Sequence, residues 1–344
     1  MVRRINLALQ GGGAHGAFTW GVLDLLLEDE DIEIAAISGT SAGALNGAAL
    51  KAGMQRGGRV AAKESLDQLW NQVGRLDEVR LSDWMFPGMP FVAAMADAVE
   101  EMFPFSAPGI AAQLVSPYAW GAAWRNPLDQ VVRRLDFSHV CAADGPKLFV
   151  SATNVRTGKI RVFSGGEISP EVLMASACLP TAFQAVELTD PKTGTLEAFW
   201  DGGYAGNPAL FPLYEKGLPD DVVIVSINPM RRDALPKSPI EIQNRINEIS
   251  FNASLLGELR AIEFVKRLIR HGKMERGRMK DVLVHFISDE RLMNALSASS
   301  KLSPSSALLY QLKAAGRTAA AAFLQGHRGD IGKRSSLDAA GLFG

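Results

Sequence analysis

The sequence predicts an α/β protein built on a parallel sheet. Residues 5–10 and 32–38 are apolar runs with the length of buried strands, and each is followed by a helical pattern. A run of glycines joins the first strand to its helix, and a second glycine-containing turn joins the second strand to its helix. Strand, helix, strand, helix in this order is typical of βαβ units, whose strands lie parallel in one sheet.

The rest of the chain continues as an alternation of strands and helices. Further strands are expected at 148–155, 159–163, 186–188, 197–200, 222–227 and 282–287. Helices are expected at 17–28, 44–52, 59–73, 126–135, 169–178, 238–271 and 304–324. No internal repeat or linker divides these elements, so we expect one domain over residues 1–325 and a C-terminal tail over 326–344.

The segment at 81–124 is the most unusual part of the predicted domain. It carries eight aromatic residues among prolines and glycines. We interpret it as a cap-like insertion that shapes an acyl-chain groove, and a packed insertion without a ligand role is the alternative. Residues 102–124 carry no charge, but Pro104, Pro108 and Pro117 would break a helix there, which argues against a membrane span.

Composition excludes several classes of function. The 36 basic and 37 acidic residues give a formal net charge of −1, so the chain offers no electrostatic reason to bind nucleic acid. Cys141 and Cys178 lack the spacing of a zinc site and do not suggest a disulfide framework. Two reduced thiols, with no apolar run of signal-peptide length at the start, favour a cytoplasmic protein.

The stretch Gly39-Thr40-Ser41-Ala42-Gly43 is a G-x-S-x-G motif between a strand and a helix. This is the context in which the motif presents a nucleophilic serine on a sharp turn. Glycines on both sides of Ser41 allow that turn, since a Cβ there would crowd the flanking strand or helix. Ser41 is therefore the candidate nucleophile.

The glycines at 11–16 permit two interpretations. They fit G-x-G-x-x-G, the dinucleotide fingerprint, at the correct place between a strand and a helix. The acid that such a site needs at the end of the second strand is missing, because that strand ends in Ser38-Gly39. Unencumbered backbone N–H groups ahead of a helix can instead stabilise an oxyanion.

A nucleophilic serine needs a base, and none of the five histidines lies on an obvious catalytic loop. His285 could follow Asp201 in the chain order of a hydrolase triad, but it lies inside an apolar run, where a core role is favoured. Asp201 is better placed, because it ends an apolar strand and precedes Gly202 and Gly203. Burial would raise the pKa of its carboxyl and make it a usable base.

Taken together, the segments 11–16, 39–43 and 201–203 resemble the three signatures of patatin-like phospholipases, and residues 175–180 and Asn207-Pro208 also resemble that family. The resemblance covers roughly residues 5–230. It implies a mainly parallel sheet with helices on both faces, acyl ester hydrolysis by a Ser–Asp dyad, and neither cofactor nor metal. The C-terminal region is expected to be helical.

Residue by residue, the resemblance makes Ser41 the nucleophile and Asp201 the general base. It assigns the oxyanion hole to Gly11, Gly12 and Gly13, and a supporting role to His15, Gly16, Gly39, Gly43, Gly202 and Gly203. His15 departs from the family, which has Arg or Lys at this position, and so replaces a fixed positive charge. A structural hydrogen bond at the start of the helix is an alternative role for His15.

We therefore expect a cytoplasmic lipid acyl hydrolase of the phospholipase A or lysophospholipase type. Its expected partner is a lipid or acyl-ester substrate, with a membrane surface as a further candidate and no nucleic acid. Two alternatives stay open: a dinucleotide-binding protein of the Rossmann type and a lipid-binding protein without catalytic activity.

Overall fold

The computed structural model describes residues 2–76, 116–118, 126–275, 277–296, 299–301 and 303–337. The predicted insertion at 81–124 lies outside these residues except for 116–118. Within them the chain forms one sheet of eight strands. The strands are β1 (Arg3–Leu9), β2 (Ile32–Thr40), β3 (Lys147–Asn154), β4 (Ile160–Ser164), β5 (Val186–Thr189), β6 (Leu196–Asp201), β7 (Asp221–Val225) and β8 (Leu283–Ile287).

Helices connect most of these strands. They are α1 (Gly16–Leu26), α2 (Ala42–Arg75), α3 (Leu128–Val132), α4 (Phe137–Val140), α5 (Pro170–Ser176), α6 (Pro239–Arg270), α7 (Glu290–Ala295) and α8 (Ser306–His327). The two helices expected between 44 and 73 are continuous in α2, with a kink where Gly57 and Gly58 leave helical geometry. Helix α3 is shorter than the expected 126–135.

The order of strands across the sheet is β5-β6-β3-β2-β1-β7-β8, and β4 also pairs with β3. Strands β3, β2, β1, β7 and β8 run parallel to their neighbours in this order. Strands β4, β5 and β6 add antiparallel pairs at one side. The predicted α/β class with a mainly parallel sheet is confirmed.

Both faces of the sheet are covered by helices. In β1, Ile5, Leu7 and Leu9 point to the larger core, which also contains apolar residues of α1, α2, α5 and α8. Ala8 points to the opposite face, where Leu255 and other residues of α6 cover the sheet. Each fully buried leucine contributes about 1.5–3 kcal/mol by its removal from water. Alternate residues of one strand therefore hold helices on both sides.

The C-terminal region supplies two long helices, α6 and α8, and a tail that contacts the edge strand β8. Helix α6 begins with a capping box in which Ser238 Oγ accepts from the Glu241 N–H at 3.2 Å and Glu241 Oε2 accepts from the Ser238 N–H at 3.0 Å. Helix α8 extends to His327, past the start of the predicted tail. The described part of that tail contacts β8, because the N–H groups of Ser336 and Leu337 donate to Val284 O.

Candidate active site

Ser41 lies on a strained turn between β2 and α2. Its φ of 53° and ψ of −123° make it the one non-glycine residue with positive φ in the part of the chain that the structure describes. Such a conformation costs about 1–3 kcal/mol and persists only where the surroundings fix it. The Ser41 N–H donates to Ser176 Oγ at 2.9 Å, and this bond from α5 is one of the contacts that hold the turn.

Two glycines of the motif are required by close backbone packing. A Cβ at Gly39 would lie 2.6 Å from Gly43 O, and a Cβ at Gly43 would overlap the carbonyl of Leu9 in β1. The turn thus fits between β1, β2 and the first turn of α2 only without these side chains. The G-x-S-x-G pattern is therefore a steric requirement of this elbow.

The sheet register brings Asp201 to the same edge as Ser41. Thr40, the residue before the serine, pairs with Ser151 of β3, and the next residue of β3, Ala152, pairs with Asp201 of β6. A Cβ at Gly202 would overlap the Ser151 carbonyl, so only glycine at this position lets the chain turn toward the elbow. The two residues lie 160 positions apart in the sequence but meet across one intervening strand.

The environment of Asp201 suits a base. The residue is 1% exposed, and its Oδ1 accepts a hydrogen bond from the Gly203 N–H at 2.8 Å. Burial raises the pKa of the Asp201 carboxyl to about 7, although the Gly203 N–H and the Ser41 hydroxyl both act to lower that pKa. The other oxygen, Oδ2, is buried and accepts no hydrogen bond of ordinary geometry from the described residues. It is free to receive a proton.

The glycine loop lies directly against the serine. A Cβ at Gly11 would be 2.7 Å from Ser41 Cβ, so only glycine allows this approach. The Gly11 N–H donates to Asn207 Oδ1 at 2.6 Å and is therefore already engaged. In contrast, the N–H groups of Gly12 and Gly13 donate no hydrogen bond within the described residues. Gly12 caps the 3₁₀ turn Gly13–His15 and Gly13 begins it, just ahead of helix α1, where the backbone carries partial positive charge.

His15 is buried and neutral. Its Nε2 hydrogen-bonds to Ser300 Oγ at 2.8 Å. Burial and the nearby charge of Lys301 lower the pKa of the imidazole to about 3. His15 therefore brings no positive charge to the glycine loop at neutral pH, and its structural contact is to the C-terminal region.

His285 does not approach Asp201. It lies on β8, where its Nε2 is 2.9 Å from Asp221 Oδ1 and its Nδ1 is 3.0 Å from Ser336 Oγ. The core role expected from its apolar surroundings is what the structure shows. The triad of Ser41, His285 and Asp201 is not formed.

Several residues that hold the site were not chosen from the sequence. Ser176 and Asn207 lie in segments that resemble the family, but their bonds to Ser41 and Gly11 could not be foreseen. Asn228 and Lys301 gave no signal at all. Asn228 Nδ2 donates to Gly11 O at 2.7 Å, and Lys301 Nζ donates to Asn228 Oδ1 at 3.2 Å.

A model of the patatin-like phospholipase family matches residues 7–214, which is more than half of the chain and includes the glycine loop, the elbow and Asp201. The chain belongs to this family. Membership in the patatin-like phospholipases supports lipid acyl hydrolysis as its general activity. No curated protein matches the chain in sequence.

Two solved structures are similar to this patatin-like chain at low identity. VipD from Legionella pneumophila is 14% identical with a TM-score of 0.40, over 94% of this chain and 67% of VipD. The ExoU–SpcU heterodimer of the type III secretion system of Pseudomonas aeruginosa gives 18% identity and a TM-score of 0.30, over 95% of this chain and 61% of the matched one. The chain thus spans about three fifths of the length of that second match.

No helix among the described residues combines the length and the apolar character needed to cross a membrane.

Proposed function

We propose that this patatin-like protein hydrolyses carboxylic esters of lipids, as a phospholipase A or lysophospholipase, through a dyad of Ser41 and Asp201. The observation that carries the proposal is a buried carboxyl with a pKa of about 7 beside a serine on a strained turn. A base is most effective when its pKa lies near the working pH. No histidine is needed in this arrangement.

In the proposed first half-reaction, Asp201 Oδ2 accepts the proton of the Ser41 hydroxyl while Oγ attacks the ester carbonyl carbon. The carbonyl oxygen becomes an oxyanion, and the N–H groups of Gly12 and Gly13, which donate to none of the described residues, stabilise it. Each such donor contributes about 3 kcal/mol to the transition state. Collapse of the tetrahedral intermediate expels the alcohol, which takes the proton from Asp201 and leaves an acyl group on Ser41.

In the second half-reaction, Asp201 takes a proton from water, and the resulting hydroxide attacks the acyl-enzyme. The fatty acid leaves as Ser41 Oγ recovers the proton. Gly11 keeps a structural role in this scheme, because its N–H is bonded to Asn207. Of the three glycines expected to form the oxyanion hole, we therefore propose only Gly12 and Gly13 as donors.

We place the reaction in the cytoplasm, at a lipid or membrane surface. Both cysteines, Cys141 and Cys178, are free thiols, as expected for a reducing compartment. Burial and the neighbouring Asp201 raise the pKa of the Cys178 thiol to about 12, so this thiol stays protonated beside the site and does not compete as a nucleophile.

The test is hydrolysis of a p-nitrophenyl ester and of a phosphatidylcholine vesicle by the full chain and by Ser41→Ala. We expect turnover in the wild type and a loss of at least about 10⁴-fold in the variant, which circular dichroism should show to be folded. Turnover that survives in folded Ser41→Ala would overturn the proposal. Vesicle binding by an inert wild type would instead support a lipid-binding protein, and quenching of tryptophan fluorescence by NAD would support the dinucleotide alternative.

A further inference from the structure

A group of residues beyond the family segment contacts the glycine loop from behind. The short 3₁₀ turn Ser299–Lys301 lies so close that a Cβ at Gly13 would overlap the carbonyl of Lys301. His15, at the end of the loop, contacts Ser300 in the same turn. Part of the C-terminal region therefore forms one wall of the predicted oxyanion loop.

The side chain of Lys301 reaches the loop through one amide. Lys301 Nζ donates to Asn228 Oδ1 at 3.2 Å, and Asn228 Nδ2 donates to Gly11 O at 2.7 Å. An ammonium group can only donate hydrogen bonds, so it selects the orientation of the amide in which Oδ1 faces the lysine. The NH₂ group of Asn228 must then face the Gly11 carbonyl.

The Gly11 carbonyl sets the direction of the next N–H group. Gly11 C=O and Gly12 N–H belong to one planar trans peptide unit, in which they point in opposite directions. Asn228 Nδ2 at 2.7 Å and Asn207 Nδ2 at 3.3 Å both donate to this carbonyl, and its direction fixes the Gly12 N–H on the opposite side. On the other side of the same residue, the Gly11 N–H is held by Asn207 Oδ1 at 2.6 Å. The loop is pinned at two successive peptide units.

Lys301 is itself held by a buried carboxylate. Glu248 is 0% exposed, and its Oε1 accepts from Lys301 Nζ at 3.1 Å and from Arg232 Nη2 at 2.7 Å. Its Oε2 accepts from Arg245 Nη1 at 3.3 Å. Arg232 and Lys301 lower the pKa of the Glu248 carboxyl to about 2 against the effect of burial, so Glu248 is ionised at neutral pH.

The cluster leaves positive charge behind the loop. Arg232, Arg245 and Lys301 face the single carboxylate of Glu248; burial lowers the pKa of the Lys301 ammonium, and Glu248 opposes that shift. His15 is neutral, so the positive charge near the loop comes from the C-terminal region rather than from the glycine motif. A cation held behind a loop of N–H donors favours the charge that develops on an oxyanion.

We propose that Lys301 is a positioning residue for the oxyanion loop: held by Glu248, it orients Asn228 and, through the Gly11 carbonyl, aims the Gly12 N–H at the reacting ester. This rests on the proposed hydrolytic function. A cluster that served only to attach the C-terminal region would affect stability, whereas a positioning residue affects the chemical step selectively.

The chain offers a matched control in Lys313. This lysine is on α8, is nearly as buried as Lys301, with side-chain exposures of 19% and 13%, and pairs with Asp67 at 2.7 Å. Like the carbonyl of Lys301, the carbonyl of Lys313 packs against a glycine: a Cβ at Gly21 would overlap it. Lys313→Met therefore removes the ion pair of another C-terminal lysine, to a carboxylate that is 45% exposed, without touching the glycine loop.

The experiment measures kcat and KM for p-nitrophenyl ester hydrolysis by the full chain and four variants. We expect Lys301→Met to lower kcat by about 10- to 100-fold with KM changed by less than about twofold, since one misaligned oxyanion donor acts on the transition state. Lys301→Arg should recover most of the loss, and Lys313→Met should keep the wild-type kcat. Asn228→Ala, which leaves the ion pair intact, should lower kcat as Lys301→Met does.

Coupling between the two residues completes the test. The double variant should be no worse than either single variant, because both break one chain of contacts. If Lys301→Met fails to fold, Asn228→Ala alone carries the same expectation of reduced kcat at constant KM. An unchanged kcat in Lys301→Met or Asn228→Ala, or an equal loss of kcat in Lys313→Met, would overturn the positioning role. Turnover by the wild type would still support the hydrolytic function in that case. A wild type without turnover would overturn both.

Discussion

Two polar clusters that each contain a serine and an aspartate lie at different places on the sheet. At the first, Ser41 and Asp201 meet beside the glycine loop. At the second, Ser336, His285 and Asp221 form a hydrogen-bonded chain between the described tail and strands β7 and β8. The second has the residue types of a hydrolase triad, and the first lacks the histidine. We nevertheless assign the chemistry to the first.

The two clusters differ in which of their polar atoms already make hydrogen bonds. In the second cluster, Asp221 Oδ1 accepts from both His285 and the Gly332 N–H, and the Ser336 N–H donates to Val284 O. In the first, Asp201 Oδ2 accepts no hydrogen bond of ordinary geometry, and the N–H groups of Gly12 and Gly13 donate none, within the described residues. Reactive groups stay unsatisfied at a cost in stability, whereas a structural cluster satisfies its members.

The largest expected effect separates the two aspartates. Asp201→Asn should lower kcat/KM by about 10³- to 10⁴-fold, since a neutral amide cannot take the serine proton. Asp221→Asn should keep kcat within about twofold and lower only the melting temperature. The measurement is ester hydrolysis by both folded variants. Equal losses in the two variants would erase the distinction between the clusters.

The pH dependence of the first cluster should follow Asp201. Because the base must be ionised, kcat/KM should rise about tenfold per pH unit below 7 and level off above it, a total of about 100-fold between pH 5 and 8. A profile that is flat over this range, or half-maximal near pH 4, would contradict the assignment of a raised pKa.

The raised pKa of the Asp201 carboxyl also affects the stability of the fold. The folded protein holds the Asp201 proton more tightly than the unfolded chain, so the contribution of this group to stability falls as pH rises from about 4 to 7. At about 1.4 kcal/mol per pKa unit, the ionised carboxylate costs up to about 4 kcal/mol above pH 7. Asp201→Asn should therefore gain in melting temperature over the wild type as pH rises from 5 to 8.

A smaller effect is expected at the support of the elbow. Ser176→Ala removes the acceptor of the Ser41 N–H, which lets the strained turn relax, and should lower kcat by about tenfold. Kinetics at saturating substrate will measure this loss. Ser335→Ala is the control, because Ser335 Oγ likewise accepts from a backbone N–H, that of Val284 at 3.1 Å, but far along the chain from the elbow. A normal kcat in Ser176→Ala would show that the turn holds without this bond.

The smallest effect on activity is expected in the second cluster. His285→Leu removes a hydrogen-bond partner from the buried Asp221 and should lower the free energy of unfolding by about 1–3 kcal/mol. Hydrolysis per folded molecule should not change. Chemical denaturation measures the free energy of unfolding, and kcat per titrated active site measures hydrolysis. A loss of kcat beyond about tenfold would show that His285 takes part in the mechanism.

Local patterns were sufficient to predict the α/β class, the opening β1-α1-β2 and the elbow at Ser41. These features depend on backbone conformations that glycine spacing and strand length determine within a few residues. The pairing of Ser41 with Asp201 needed the combination of three motifs, because no single spacing carries a contact across the sheet. The kink in α2 at Gly57 and Gly58 was placed only approximately, as a gap between two helices.

The remaining contacts could not be read from the sequence. Lys301, Asn228 and Gly11 form one chain of hydrogen bonds although the first and last are nearly 300 positions apart. A lysine on a short turn looks the same in sequence whether it faces water or a glycine loop, since its role depends on tertiary packing. His15 likewise became interpretable only when its burial and its neighbour Lys301 were known.

The central claim is that Ser41, activated by Asp201 without a histidine, is the nucleophile. Reaction of the full chain with a fluorophosphonate, followed by peptide mass mapping, tests it most directly. We expect one adduct, on the peptide that contains Ser41, and a labelling rate that is strongly reduced in Asp201→Asn and unchanged in His285→Leu. An adduct on Ser336, or labelling that depends on His285, would contradict the account.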